Sequence, residues 1–187
     1  MMKHVRLLAV VSTLFVAALF VGTSPACAEE HYTGTGLGMF QLDAGVGQKS
    51  SFGGYLQLGS DFMPYLGAEI RLGSAAGATK NNEKMQLDWL VGHFLKPYIE
   101  LTNDFTLYGL AGFTINHTSL QIGTASKLKK TNISLSYGLG IQAGISNRLK
   151  LGAEWVSYSR AADATRRTTS FQGLNVNGIV GTLRYDF

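Results

Sequence analysis

The chain closes on Ile179-Val180-Gly181-Thr182-Leu183-Arg184-Tyr185-Asp186-Phe187. Ile179, Leu183, Tyr185 and Phe187 occupy odd positions; Thr182, Arg184 and Asp186 occupy even ones. A period of two is the signature of a strand with one apolar and one polar face. A terminal strand carrying Tyr185 and Phe187 outward would be an adhesive edge on an open sheet. A closed sheet has no edge, and an outward aromatic near its rim suits a membrane interface.

The same period recurs upstream. Gly38–Val46 reads as a first strand, with Phe40, Leu42, Ala44 and Val46 on the apolar face and Gln41 and Asp43 opposite. Gly54–Phe62 sets Leu56, Leu58 and Phe62 against Tyr55, Gln57 and Asp61. Tyr65–Gly73 sets Leu66, Ala68, Ile70 and Leu72 against Glu69 and Arg71. A fourth strand puts Leu87, Trp89, Val91 and Leu95 opposite Asp88 and Lys96, with Pro97 marking its end or a bulge. Phe105–Ile115 is the fifth, with Leu107, Ala111, Phe113 and Ile115 outward. The sixth, Ile133–Ile145, alternates seven apolar positions with Ser, Gly and Gln, and is long enough to cross a bilayer at a tilt. The seventh opposes Leu149, Leu151, Ala153 and Trp155 to Lys150 and Glu154; Phe171 opens the eighth.

Eight strands is an even number, as in single-chain bacterial barrels. The connections at Met63-Pro64, Thr102-Asn103-Asp104 and Ser146-Asn147-Arg148 are tight, while Ser74–Lys84, Asn116–Lys130 and Ser159–Ser170 read as long polar loops. Short periplasmic turns and long outer loops produce this alternation. The expected fold is all-β: an eight-stranded, antiparallel, up-and-down transmembrane β-barrel. Phe62, Tyr65, Tyr98, Phe105, Tyr185 and Phe187 would form one aromatic girdle, and Phe52, Trp89, Trp155 and Phe171 the other.

The closing strand, Leu151-Gly152-Ala153-Glu154-Trp155 and Tyr108-Gly109-Leu110-Ala111-Gly112-Phe113 together resemble the OmpA/OmpX-type family of small outer-membrane barrels. The resemblance covers the whole segment after residue 28. It implies a non-enzymatic barrel in the bacterial cell outer membrane, structural or surface-interacting. It also implies that Tyr185 and Phe187 form an assembly signal read by the barrel-assembly machinery.

The N-terminus carries its own address. Lys3 and Arg6 precede an apolar run from Leu7 to Val21, and Ala26-Cys27-Ala28 supplies a small-x-small cleavage pattern. Residues 1–28 read as a cleaved signal peptide and 29–187 as the barrel domain. Acylation of Cys27 is a second reading, weakened by Ser24 where such signals carry Leu. Cys27 is the sole cysteine and leaves with the signal, so no disulfide or Cys-ligated metal is expected. The chain has 23 glycines and 3 prolines, a composition that suits a barrel wall. Removing Lys3 and Arg6 from the 16 basic residues leaves 14 against 12 acidic ones, a balance that does not point to nucleic acid.

The strand charges fall opposite the apolar faces: Asp43, Asp61, Glu69, Arg71, Asp88, Lys96, Lys150, Glu154 and Arg184. Inside a barrel of eight strands there is room for side chains only, so these charges should pair into a plug; a narrow porin-like ion path is the alternative. The outer loops gather Lys80, Lys84, Lys127, Lys129, Lys130, Arg160, Arg166 and Arg167 against Glu83 and Asp163. Solvation alone would explain them, and contacts to the phosphates of lipopolysaccharide or to an acidic surface glycan or host ligand would use them.

His93 sits on the lipid-facing parity, and His117-Thr118-Ser119 places a base near a hydroxyl. The pair resembles the His-x-Ser of PagL-type lipid A deacylases, which are also eight-stranded barrels. That chemistry needs a third group to orient the base. No carboxylate follows Ser119 until Glu154, and Leu120 stands where that family has Asn. No catalytic residue, cofactor or metal is therefore expected, and lipid A modification is kept as the alternative function.

Overall fold

A strand leaves its backbone N–H and C=O groups to be paired by neighbouring strands, and short connections make sequence neighbours those partners. The computed structural model describes residues 30–44, 47–80, 82–160, 171 and 173–187. Its strands are β1 (Glu30–Asp43), β2 (Gln48–Met63), β3 (Leu66–Lys80), β4 (Glu83–Glu100), β5 (Phe105–Ile122), β6 (Leu128–Gly144), β7 (Leu149–Ser159) and β8 (Asn175–Asp186). Each pairs antiparallel with the next, and β8 returns to β1 to close the barrel in meander order. Strand lengths of 11 to 18 residues meet the need of a tilted crossing, about 9–11.

Closure explains why the terminal strand can be oily. β8 is paired on both edges, Leu183 lying between Thr35 of β1 and Leu151 of β7. Its outward residues Ile179, Leu183, Tyr185 and Phe187 are exposed while Val180, Thr182, Arg184 and Asp186 are buried. The same alternation holds round the wall. Leu56, Leu58, Leu72, Phe113, Leu135 and Leu139 are each more than half exposed. In water such a band would aggregate; against hydrocarbon it is the surface the surroundings demand.

Four expectations are corrected. In β1 the parity is reversed: Phe40 and Leu42 are fully buried inside, and Leu37 and Met39 face out. The apolar run there contains residues of both faces, so hydrophobicity alone misassigns it. In β4 a register shift between Leu87 and Trp89 turns Leu87 inward, because an extra residue in one strand flips everything beyond it. The Ser74–Lys84 and Asn116–Lys130 stretches are mainly strand, joined only across residues 81–82 and 123–127. Polar residues there keep pairing with each other beyond the lipid-facing band. Phe171 lies outside the sheet and packs against the buried core instead of joining an outer girdle. Val46 and most of the Ser159–Ser170 loop lie outside the described residues, as does the expected signal peptide.

The lumen is filled in two layers. Phe40, Leu42, Met85, Leu87, Leu90, Val156, Leu174 and Val176 form an apolar cluster in the half away from Glu30 and Phe187, the termini of the described barrel. The half nearer the termini holds the charges. The charges pair as expected in one half only; β1's reversed parity contributes Phe40 and Leu42 to the other half, the β4 shift contributes Leu87, and Val156 and Val176 come from β7 and β8.

Candidate functional site

Arg71 of β3 is the centre of the charged layer, with 1% of its side chain exposed. Its Nε donates to Glu69 Oε1 at 2.6 Å, and its Nη1 and Nη2 donate to Glu154 Oε1 and Oε2 at 2.5 and 2.8 Å. This is the bidentate fork that a guanidinium makes with a carboxylate. Glu154 also accepts from Tyr55 Oη at 2.6 Å and Tyr108 Oη at 3.0 Å. Glu69 accepts from Tyr32 Oη at 2.9 Å and faces Lys96 Nζ at 3.7 Å. The cations also lie over rings: Arg71 is 4.4 Å from the Tyr55 centroid and Lys96 is 4.4 Å from that of Tyr108.

Two glycines let these tyrosines reach. Gly36 is the registry partner of Tyr55, and Gly140 that of Tyr108. A Cβ on either glycine would run into the tyrosine ring lying over it. The missing side chain thus leaves a slot across which each ring delivers its hydroxyl to Glu154.

Nearer the termini, Arg184 Nη2 binds Asp61 Oδ2 at 2.6 Å, and its Nε binds Asp186. Lys150 Nζ reaches Asp186 Oδ2 at 3.0 Å. Across the two clusters, Arg71, Lys96, Arg184 and Lys150 stand against Glu69, Glu154, Asp61 and Asp186. The charges cancel, which makes a cross-linked stopper.

The structure therefore brings Glu69, Arg71, Glu154, Lys150 and Arg184 into the lumen. Asp43 and Asp88 lie elsewhere. Asp43 ends β1 on the parity of outward Leu37 and Met39. Asp88 sits at the β4 register shift, where Lys127 Nζ reaches its Oδ1 at 3.2 Å. Sequence reasoning missed four tyrosines, Tyr32, Tyr55, Tyr108 and Tyr158 (whose Oη accepts from Arg71 Nη1 at 3.2 Å), and also Asp186. The available signal was a tyrosine on polar parity, but its glycine partner is visible only once register is known.

The far end of the barrel carries the second group of residues. Lys84 stands on β4, Lys129 and Lys130 on β6, and Lys127 in the connection before it. Gln86, Ser119 and Lys129 share one cross-strand row. Two rows below that level, Trp89 stacks on His117 with centroids 5.7 Å apart and planes at 6°. Lys84, Lys129 and Lys130 are exposed, and none has a carboxylate partner among the described residues. Glu83 is held by Lys49 at 3.1 Å and Asp88 by Lys127. The Lys80 side chain, Arg166 and Arg167 lie outside the described residues.

His117 Nδ1 is 2.8 Å from Thr131 Oγ1, while Ser119 Oγ is buried with no hydrogen-bond partner among the described residues. Glu154 is inside the lumen on Arg71. These three groups do not assemble into a base-activated serine. His93 lies on the outer wall opposite Phe113, with Ile70 on its other side. Among the described residues no three His, Cys, Asp or Glu side chains gather to hold a metal.

Comparison with known proteins places this architecture. The structure of Neisserial surface protein A superposes with a TM-score of 0.66 at 13% identity, covering 84% of this chain and 97% of that one. The attachment invasion locus protein Ail of Yersinia pestis, solved with the heparin analogue sucrose octasulfate, gives 0.60 at 15% identity, covering 85% and 99%. The N-terminal barrel of Pseudomonas aeruginosa OprF gives 0.56 at 10%, covering 83% and 97%. No curated protein matches in sequence. At these identities the likeness is one of fold. The family model for the outer membrane protein beta-barrel domain matches residues 13–187. Its match spans every strand of the barrel, and the chain belongs to that family of bacterial outer-membrane proteins.

Proposed function

We propose that this barrel is a non-enzymatic surface-binding protein whose basic far end contacts sulfate- or phosphate-bearing glycans, the saccharide of lipopolysaccharide among them. In such barrels the short turns face the periplasm, so the end away from the termini is the outer one. The observation that carries the reading is the set of lysines, Lys84, Lys129 and Lys130, fixed on paired strands without a carboxylate partner among the described residues, while nearby Glu83 and Asp88 are held by Lys49 and Lys127. Strand placement matters: ammonium groups on a rigid ladder lose less freedom on binding than the same groups on a loop. The position directly beyond the Trp89–His117 stack suits anions at the membrane surface. That Ail was solved with a heparin analogue supports a polyanion as the ligand class.

Isothermal titration of the refolded barrel with a heparin oligosaccharide tests this. Binding should be measurable at low salt and weaken steeply toward 1 M, as the Debye length falls from about 10 Å at 0.1 M to about 3 Å. Replacing Lys127, Lys129 and Lys130 together by Ser should remove most of it. Binding that ignores salt, or survives in the triple variant, contradicts the reading. We further propose that the exposed Tyr185 and Phe187 present the closing strand to the barrel-assembly machinery.

A further inference from the structure

The wall near the turns is not uniform. Phe105, Ile141, Ala143, Leu151 and Ala153 line a shallow groove of about 270 Å³ on the outward face. Register explains it. Ala143 lies between Phe105 and Leu151, and Ala153 lies beside Ile141, so small residues run diagonally between bulky ones. Gly181, the partner of Ala153 on β8, prolongs the furrow: a Cβ added there would meet nothing closer than 3.9 Å.

The groove's lower end has a charge on each side. Asp104 immediately precedes Phe105, and its carbonyl accepts from Gly144 N at 2.8 Å. Arg148 occupies the β6–β7 turn, and its Nη1 donates to Tyr185 Oη at 3.4 Å. Both are exposed, and neither has an ion-pair partner among the described residues. Lys150, the next cation along, is taken by Asp186 inside the lumen.

We infer that this furrow with its two flanking charges binds a zwitterionic aminophospholipid of the periplasmic leaflet. The furrow belongs to the wall that faces hydrocarbon, so an acyl chain is its natural occupant. The phosphate meets the guanidinium of Arg148, which suits a phosphate's geometry. The primary ammonium meets the carboxylate of Asp104. An anionic headgroup without an ammonium would satisfy Arg148 and leave Asp104 facing negative charge. A quaternary ammonium would have no N–H to donate.

Native mass spectrometry of the folded, delipidated barrel tests this, with phosphatidylethanolamine, phosphatidylglycerol and phosphatidylcholine offered at equal concentration. The ethanolamine lipid should be retained most, by up to about fivefold, the range expected of one exposed ion pair. Asp104→Asn should erase that preference, and Arg148→Gln should lower retention of all three lipids. Ala153→Phe, which fills the furrow, should do the same. If Ala153→Phe fails to fold, the two turn variants, which leave the wall intact, still decide the matter. Equal retention of the three lipids by the native barrel, or an unchanged preference in Asp104→Asn, overturns the inference.

Discussion

Glu154 shows how much depends on single side chains. It is buried, holds Arg71 through both oxygens and accepts two tyrosine hydroxyls. Replacing it by Gln would leave Arg71 with only Glu69 as a charged partner. Removing one member of a buried pair typically costs about 3–5 kcal/mol. Glu154→Gln should therefore lower the urea midpoint of the refolded barrel markedly, whereas Lys130→Gln at the exposed end should leave it unchanged. A similar loss should follow Gly140→Val, because the new side chain evicts the Tyr108 ring from its slot. On the outer wall, Leu139→Arg should impair assembly, since an Arg near the midplane costs about 2–4 kcal/mol; normal outer-membrane yield of that variant would mean the wall has been read inside out. Much of this was legible from the sequence: Glu69, Arg71, Glu154 and Arg184 stand on the polar parity of clean strands. The tyrosine partners were legible only in parity, because the glycines that let them reach the carboxylates are identified by cross-strand register and not by local sequence.

Among the elements, β8 carries the clearest expectation. Phe187 is 69% exposed, and its backbone N–H still donates to His31 O at 3.0 Å. Its ring meets the His31 ring at 6.3 Å and is otherwise largely open, so the folded barrel should need it little. Phe187→Ala should refold in detergent as the native chain does, yet reach the outer membrane of cells in lower amount; equal yield in cells would remove the assembly role. Strand existence and type were readable throughout, because a period of two survives over many residues. Boundaries were not, and the misplaced stretches share a cause. Thr118, Ser119, Lys129 and Lys130 are polar, so they look like loop, yet they pair in register as β5 and β6 continue beyond the apolar band. Polarity reports what a strand faces and says nothing of whether it is paired. The β4 shift at Leu87 is silent in sequence for a related reason: an inserted residue leaves the composition unchanged and reverses the face.

For the whole molecule, the two-layered lumen bears on what the barrel can do. An apolar cluster and a neutral ionic stopper lie in series along the axis. Both fill the lumen with side chains, so planar-bilayer recordings should show no large steady conductance. The binding proposed above falls to the outer end and the wall. Both assignments depend on one orientation, with the turn at residues 145–148 in the periplasm and Lys129 outside. With Cys27 replaced by Ser, single cysteines at Lys129 and Asn147 can be probed in intact cells with a membrane-impermeant maleimide. Lys129→Cys should label in intact cells, and Asn147→Cys only after the outer membrane is permeabilised. Labelling of Asn147→Cys in intact cells with protection of Lys129→Cys would contradict the account at its root.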